Sequence, residues 1–270
     1  MIATYHNHTT YSDGKATVEE TVQKAMELGV EELGISDHLT LHPSGRTPAW
    51  AMPPGRLDEY VEEIRHYGGM SSPVLRLGLE VDWFPNQGGA IRETLAGIQF
   101  DYLIGAVHEA DGFVIDGSVD AWKQLSTEKI NAVHRRYWEL IKSTAESGLF
   151  DIVAHLDLPK KFGYRPTVDL DDVIEPALDA IANGKMIVEV NTAGWHKPVR
   201  DAYPSLELLE RCQSHGIGVT ISADAHEPDH LLRDFPRAAQ RLVKAGYEEV
   251  ARFAGRERTF EHIEMALARF

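Results

Sequence analysis

Short apolar runs alternate along the chain with longer segments in which apolar residues recur every three or four positions. The longer spacing places apolar side chains on one face of a helix, whereas a short continuous run is typical of a buried strand. Strands are predicted at residues 2–8, 32–38, 74–83, 102–108, 152–156, 186–192 and 218–223. Helices are predicted at residues 17–29, 57–67, 90–98, 127–147, 169–183, 205–215 and 235–245. The order amounts to seven β–α units.

Alternating strands and helices indicate a parallel sheet covered by helices. Several strands are apolar without polar alternation, as expected when both faces are covered. None of the units carries a glycine-rich phosphate-binding turn, which favours a barrel over a doubly wound sheet. We therefore predict one α/β domain over residues 1–270, a length typical of such barrels. The proline-rich segment 40–55 follows the second strand and is predicted to be an ordered loop that acts as a lid.

Residue types that bind metals recur at the ends of the predicted strands. His6 and His8 lie two positions apart at the end of the first strand, so both imidazoles face the same side. In a parallel barrel all strand ends meet at one face. The candidate ligands are His6, His8, Asp13, His38, Glu80, His108, His155, Asp224 and His226.

Nine nitrogen and oxygen ligands exceed what one ion of four to six ligands can use, so two or three divalent ions are predicted. Imidazoles and carboxylates without thiolates suit Zn, Mn or Fe. A single histidine at a strand end is more often a structural residue that forms a hydrogen bond. Here the ends of the first five strands and of the seventh all carry a ligand-type residue, which favours a metal site.

The amino-acid composition argues against nucleic acid and membrane as binding partners. The chain has 27 Lys and Arg against 42 Asp and Glu, a formal net charge of −15. Capture of nucleic acid independent of sequence needs basic residues that neutralise phosphates, so we expect no nucleic-acid partner. The single cysteine, Cys212, excludes a disulfide framework. No apolar run approaches the ~18 residues of a membrane span, and we expect a cytoplasmic protein without a membrane partner.

The ligand motifs resemble those of the PHP (polymerase and histidinol phosphatase) family. The resemblance rests on His6-Asn7-His8, Asp13, Ser36-Asp37-His38, Glu80, His108, His155 and Asp224-Ala225-His226, in the family's order. It implies a distorted (β/α)7 TIM-like barrel with a trinuclear metal centre at the carboxyl ends of the strands. It also implies three ligand groups: His6, His8, Glu80 and Asp224; Glu80, His108 and His155; and Asp13, His38 and His226.

Within the family, residues 52–60, 189–194, 203–205 and 222–228 resemble the stand-alone histidinol-phosphate phosphatases of histidine biosynthesis. The resemblance implies a phosphomonoester hydrolase with a small-molecule phosphate substrate. We expect a hydroxide that bridges the metals to attack phosphorus directly. Glu80, Asp224 and His226 are the predicted catalytic residues, and Asp224, His226 and a metal-bound water are the candidates to protonate the leaving group.

Phosphate oxygens that are not on metal need basic donors. Lys161 follows the fifth strand, and His196, Lys197 and Arg200 follow the sixth, so these four are predicted to bind substrate. Histidinol-phosphate phosphatases often have a basic residue directly after an Asn-Thr-x-Gly turn. Here Trp195 and His196 come before Lys197.

Two other functions remain open from the sequence. One is a phosphodiesterase or exonuclease of the same family acting on nucleotides or nucleic-acid ends. A nuclease is expected to show a basic track with interleaved aromatic residues, and no run of Lys and Arg here exceeds a pair. The other is a non-catalytic module that binds metal for stability, and the complete set of ligand-type residues speaks against it.

Overall fold

The structure, a computed structural model, describes residues 2–263. Residue 1 and residues 264–270 of the predicted domain lie outside the described residues. All strands that carry the candidate ligands are parallel to their neighbours, as predicted. The parallel strands are β1 (Ala3–Thr4), β2 (Glu32–Ile35), β3 (His38–Leu39), β4 (Val74–Leu77), β5 (Glu80–Asp82), β6 (Ile104–Ala106), β9 (Ile152–Val153), β10 (Ile187–Asn191) and β11 (Val219–Ser222).

Each predicted helix is present, with ends that differ by a few residues. The helices are α1 (Val18–Glu27), α2 (Leu57–His66), α3 (Gly88–Thr94), α4 (Val119–Lys123), α5 (Thr127–Glu146), α6 (Asp171–Asn183), α7 (Leu206–Ser214) and α8 (Phe235–Lys244). Helix α4 was not predicted. Helix α1 begins with a capping box in which Thr17 and Glu20 bind each other's backbone amides. No helix within residues 2–263 combines the length and apolar character needed to span a membrane.

The parallel strands form two ladders. One has the order β1–β2–β4 and the other β3–β5–β6–β9–β10–β11. The predicted strands at 32–38 and 74–83 are each interrupted, so their first halves lie in the small ladder and their second halves in the large one. At the first interruption the buried Asp37 carboxylate accepts hydrogen bonds from the backbone amides of Thr9 (2.8 Å) and Ser12 (3.1 Å). This side chain therefore fixes the turn that precedes Asp13.

Tyr102 fills the space between the interrupted strands. A Cβ atom at Gly34 or at Gly78 would lie 2.2 Å from the Tyr102 ring or its hydroxyl, so only glycine fits at either position. The Tyr102 hydroxyl donates a hydrogen bond to the Tyr5 carbonyl. The ring thus packs against β2, against the Gly78 break and against the residue that follows β1.

Two antiparallel hairpins complete the fold, and neither was predicted. The small hairpin β7 (Glu109–Ala110) and β8 (Phe113–Val114) follows His108. The larger hairpin joins β12 (Glu249–Ala254) to β13 (Glu257–His262). Its buried Phe253 ring lies 5.4 Å from the Tyr5 ring, and Ala251 joins the same buried cluster. This hairpin therefore packs against the interior aromatic residues.

The role of the larger hairpin predicts a stability effect. Phe253→Ala removes a ring that is 2% exposed, so we expect a loss of about 3–5 kcal/mol in the free energy of unfolding. Phe260→Ala on the same hairpin removes a ring that is 46% exposed, and we expect a loss below about 1 kcal/mol. Urea unfolding measures both values. Equal losses would contradict the packing role of Phe253.

Candidate metal centre

The carboxyl ends of the parallel strands bring all nine predicted ligands to one face. Each ligand lies at the start of a short strand or in the loop that follows one, where the polypeptide leaves the sheet. His6 and His8 follow β1, His38 opens β3, Glu80 opens β5, His108 follows β6, His155 follows β9, and Asp224 and His226 follow β11. Residues more than 200 positions apart in sequence therefore meet in one cluster.

Glu80 lies at the centre of this cluster and is 1% exposed. Five imidazoles surround its two carboxylate oxygens. The distances to Oε2 are 3.1 Å from His6 Nε2, 3.6 Å from His8 Nε2 and 2.7 Å from His38 Nδ1, and those to Oε1 are 3.1 Å from His155 Nε2 and 3.7 Å from His108 Nε2. Both oxygens of this carboxylate therefore face imidazole nitrogens, and such a set of oxygen and nitrogen donors suits divalent metal ions.

A second, more open group lies beside Glu80. The Asp13 Oδ1 atom lies 3.2 Å from His226 Nε2 and 3.6 Å from His38 Nε2. Asp224 Oδ1 lies 3.2 Å from His8 Nε2 and so connects this group to the buried one. The Asp13 and His226 side chains keep about a third of their surface exposed, so this end of the cluster faces the solvent.

Buried atoms without hydrogen-bond partners fit a divalent cation. Both ring nitrogens of His8, Nε2 of His6, Nδ1 of His155 and Oε2 of Glu80 are buried and accept or donate no hydrogen bond within residues 2–263. Burying such atoms without a partner is costly. Several of them converge within the groups His8, Asp13, His38 and His226; His6, His8 and Glu80; and His38, Glu80 and His108. A metal ion would satisfy those of the atoms that face one another within these groups.

The electrostatics of the cluster ionise its carboxylates, and they leave the His8 imidazole neutral but the His108 and His226 imidazoles protonated, with pKa values of about 10 and about 9. Burial raises the pKa of the Glu80 carboxyl, but the His6 and His38 imidazoles outweigh burial and hold that pKa well below its usual range. Burial also raises the pKa of the Asp224 carboxyl, but the His6, His8 and His226 imidazoles together outweigh burial and hold that pKa well below its usual range. Burial and the neighbouring His38 lower the pKa of His8 to about 3, so this imidazole is neutral at pH 7. Ionised carboxylates and neutral imidazoles are the ligand forms.

Glu189 orients one of the ligands and was not assigned a role from the sequence. Its Oε2 atom lies 2.8 Å from His6 Nδ1 and accepts a 2.6 Å hydrogen bond from Ser222 Oγ. Its Oε1 atom accepts hydrogen bonds from the His155 amide (2.7 Å) and Asn191 Nδ2 (2.9 Å). With Nδ1 held by Glu189, His6 turns Nε2 toward Glu80, the arrangement common for histidines that bind metals.

Asp82 orients His108 in the same way. Its Oδ1 atom lies 2.6 Å from His108 Nδ1, and its Oδ2 atom accepts a 2.6 Å hydrogen bond from Thr40 Oγ1. A sequence signal for both carboxylates exists in retrospect, because Glu189 lies inside a buried apolar strand and Asp82 ends a fully buried one, and acids are rarely buried without a partner.

The loop at residues 40–55 lies over the cluster. The Trp50 ring centroid is 4.8 Å from that of His38 and 5.5 Å from that of His108. The Met52 amide donates a 2.9 Å hydrogen bond to the His38 carbonyl, which holds the end of the loop against β3. The sequence-based prediction of an ordered loop beside the site agrees with these contacts.

A cavity of about 600 Å³ opens onto the exposed end of the cluster. The predicted substrate-binding residues Lys161, His196 and Lys197 line it. Arg200 is exposed and is not among the lining residues, so its role in substrate binding stays a prediction. It lies in a turn with a left-handed backbone (φ 52°), beyond the 3₁₀ helix Thr192–His196 whose end lines the cavity.

Some basic residues of the cavity form ion pairs with carboxylates of the chain, and others do not. Lys161 Nζ lies 3.2 Å from an Asp116 carboxylate oxygen, and His196 Nε2 lies 2.6 Å from Asp234 Oδ2. Lys197 has no ion pair within the described chain. Burial, with a further contribution from the nearby Lys161 ammonium, lowers the pKa of Lys197. Arg233, which sequence reasoning missed, also lines the cavity.

The contact between Glu189 and His6 predicts a change in metal affinity. Glu189→Gln weakens the hold on His6 Nδ1, so we expect the affinity for Zn or Mn to fall about 10- to 100-fold. Competition with a chromogenic chelator measures this affinity. Glu32→Gln is the control, because Glu32 is 6% exposed but pairs with Arg76 (2.6 Å), away from the cluster. Loss of affinity in the control, or none in Glu189→Gln, would contradict the assignment.

Several known proteins are similar to this chain in sequence or in fold. The sequence model of the PHP domain matches residues 4–193. A protein of Deinococcus radiodurans named "Probable histidinol-phosphatase" is 33% identical over 254 residues, 92% of each chain. The crystal structure of histidinol phosphate phosphatase from Lactococcus lactis, in complex with Zn, L-histidinol and phosphate, has a TM-score of 0.77 at 20% identity, covering 96% of this chain and 98% of that one. The chain belongs to the PHP domain family.

Proposed function

We propose that this chain is a metal-dependent phosphomonoester hydrolase whose substrate is histidinol phosphate, an intermediate of histidine biosynthesis. The observation that carries the proposal is the cavity in which a buried cluster of metal-ligand side chains faces unpaired cations. Support for the substrate comes from the relative in Deinococcus radiodurans and from the histidinol and phosphate bound to the Lactococcus lactis enzyme.

Two or three divalent ions, Zn, Mn or Fe, would be held by the nine strand-end ligands. His6, His8, Glu80 and Asp224 would hold one ion, Glu80, His108 and His155 a second, and Asp13, His38 and His226 a third. When bound, such ions supply an activated water and neutralise charge on the phosphoryl group. Glu80, with imidazoles on both of its oxygens, would be shared by the first two sites.

The side chains of the cavity would bind the phosphoryl group of the substrate and protonate the leaving alkoxide. Lys161 and Lys197 are placed to bind phosphoryl oxygens, and His196 lies at the same rim. The leaving alkoxide needs a proton, and Asp224 and His226 are the cavity residues proposed to pass it on. Water must enter at the open side of the cluster, where Asp13 and His226 are part-exposed.

The other end of histidinol phosphate carries an ammonium group and an imidazole. Trp50 is the one tryptophan among the described residues that lines the cavity. Trp83 and Trp195 are buried, and Trp83 packs against Phe150 with its indole N–H bound to Ser143. Trp50 is therefore the proposed aromatic contact for the cationic end.

We further propose that the seven β–α units close into a distorted barrel formed by a single domain. The support is a contact between the first and last parallel strands. The His8 amide donates to the Ala225 carbonyl (2.8 Å), and the Ala225 amide donates to the His6 carbonyl (3.2 Å). Closure of this kind would explain why ligands after β1 and after β11 share one cluster.

Phosphate release from histidinol phosphate, measured against a panel of phosphomonoesters, nucleotides and bis(p-nitrophenyl) phosphate, tests the function. Metal content is measured on the same sample. We expect a kcat/KM for histidinol phosphate at least about 100-fold above the panel, a difference of the size that specific polar recognition produces. Weak and even activity across the panel would contradict the substrate, and preference for the diester or nucleotides would favour the phosphodiesterase.

Glu80→Ala and His8→Ala test the metal centre within this function. Each removes a ligand from the middle of the cluster, so we expect phosphate release to fall at least about 1,000-fold. Circular dichroism shows whether the variants fold, and metal analysis shows what they retain. His66→Ala, a change on helix α2 outside the cluster, is the control and is expected to keep full activity. Substantial turnover by a folded Glu80→Ala protein would contradict the assigned ligands.

A further inference from the structure

Arg233 has a charged side chain without a partner at the mouth of the metal centre. It lines the cavity, and its Nε atom is buried without a hydrogen-bond partner. Its guanidinium forms no ion pair within residues 2–263, although the Asp224, Glu227 and Asp234 carboxylates are near enough to favour its charged form. An arginine stays charged in proteins, so a guanidinium without a direct ion pair at this position is available to an anionic ligand.

The other cations of the cavity are mostly paired with acids. Lys15 pairs with Glu227, Lys161 with Asp116, and His196 with Asp234. Arg233 and Lys197 are the lining cations without such a partner in the described chain. In a chain with an excess of 15 acidic over basic residues, two unpaired cations at one site are unexpected unless a ligand pairs with them.

The backbone at Arg233 is fixed, so its side chain starts from a defined position. The Arg233 amide donates a 3.0 Å hydrogen bond to the His230 carbonyl. Its carbonyl accepts a 2.7 Å hydrogen bond from the hydroxyl of Thr192, a fully buried residue directly after β10. Arg233 is thereby tied to the 3₁₀ helix that also carries His196 and precedes Lys197. The cost of ordering the site on binding is correspondingly small.

We propose that Arg233 binds the phosphoryl group of the substrate and, with Lys197, selects phosphomonoesters over phosphodiesters. The proposal rests on the proposed hydrolase function of the same site. A monoester dianion offers three terminal oxygens and two negative charges, whereas a diester offers two terminal oxygens and one charge. The planar guanidinium fork matches two oxygens of one phosphoryl group. A site with two uncompensated cations therefore gains more from the monoester.

Binding of inorganic phosphate to the metal-loaded protein tests the contact directly. Isothermal titration calorimetry compares the wild type with Arg233→Gln, Arg233→Lys and Arg237→Gln. Arg237 is the matched control, because its guanidinium lies 4.1 Å above the Trp195 ring and does not line the cavity. We expect Arg233→Gln to weaken phosphate binding about 10- to 100-fold, Arg233→Lys less, and Arg237→Gln less than about 2-fold.

Steady-state kinetics with a monoester and a diester test whether Arg233 selects phosphomonoesters. With p-nitrophenyl phosphate we expect Arg233→Gln to lower kcat/KM about 10- to 100-fold. With bis(p-nitrophenyl) phosphate we expect a change below about 3-fold, so the preference for the monoester falls. Equal losses on both substrates, unchanged phosphate binding, or an equal effect of Arg237→Gln would overturn the proposal. If Arg233→Gln fails to fold, Arg233→Lys carries the test, since it keeps the charge but not the fork.

Failure of this proposal is distinguishable from failure of the proposed function. An active wild type with an unaffected Arg233→Gln variant would overturn the role of Arg233 alone. A wild type that hydrolyses p-nitrophenyl phosphate without preference for histidinol phosphate would overturn the substrate, while the Arg233 comparison still decides this proposal. A metal-loaded wild type that neither binds phosphate nor hydrolyses a monoester would overturn both.

Discussion

A single buried carboxylate organises the candidate active site. Glu80 is almost fully removed from solvent, and an isolated carboxylate in that position would be strongly unfavourable. Five imidazoles from four other strand ends meet its two oxygens, and His6 and His38 do most to keep the carboxylate ionised. Such an arrangement requires the strand ends to converge, and it ties the fold of the whole chain to the chemistry of one face. It also leaves several buried nitrogens unsatisfied, and divalent cations would satisfy them.

A second set of carboxylates keeps these imidazoles in place. Glu189 holds His6 and Asp82 holds His108, and in both pairs the acid takes Nδ1 so that Nε2 faces the cluster. The mouth of the cavity differs from the buried cluster in how its charged side chains are paired. There, most charges are paired within the chain, and Lys197 and Arg233 are left for a ligand. The depth of the site is thus suited to metal, and its rim is suited to a small anion, which together favour phosphate-ester hydrolysis.

The convergence of the candidate metal ligands could be predicted from the sequence, because a strand end is visible as the point where an apolar run meets a polar residue. The interruptions at Asp37 and at Gly78 could not, since they depend on hydrogen bonds from Thr9 and Ser12 and on the bulk of Tyr102. The basic residues that line the cavity were harder still to predict from the sequence. Arg200 and Lys197 look equivalent in sequence, yet only Lys197 lines the cavity. Whether a charge is already paired is a property of the folded chain, and so Arg233 gave no sequence signal.

Metal ions bound around Glu80 would form the floor of a phosphate-binding cavity. Anomalous diffraction from crystals grown with Mn and inorganic phosphate tests it most directly. We expect anomalous peaks from Mn ions within coordination distance of both Glu80 oxygens. We also expect a phosphate between these ions and the side chains of Lys197 and Arg233. A Glu80 carboxylate without an adjacent ion, or a phosphate bound away from the cavity, would contradict it.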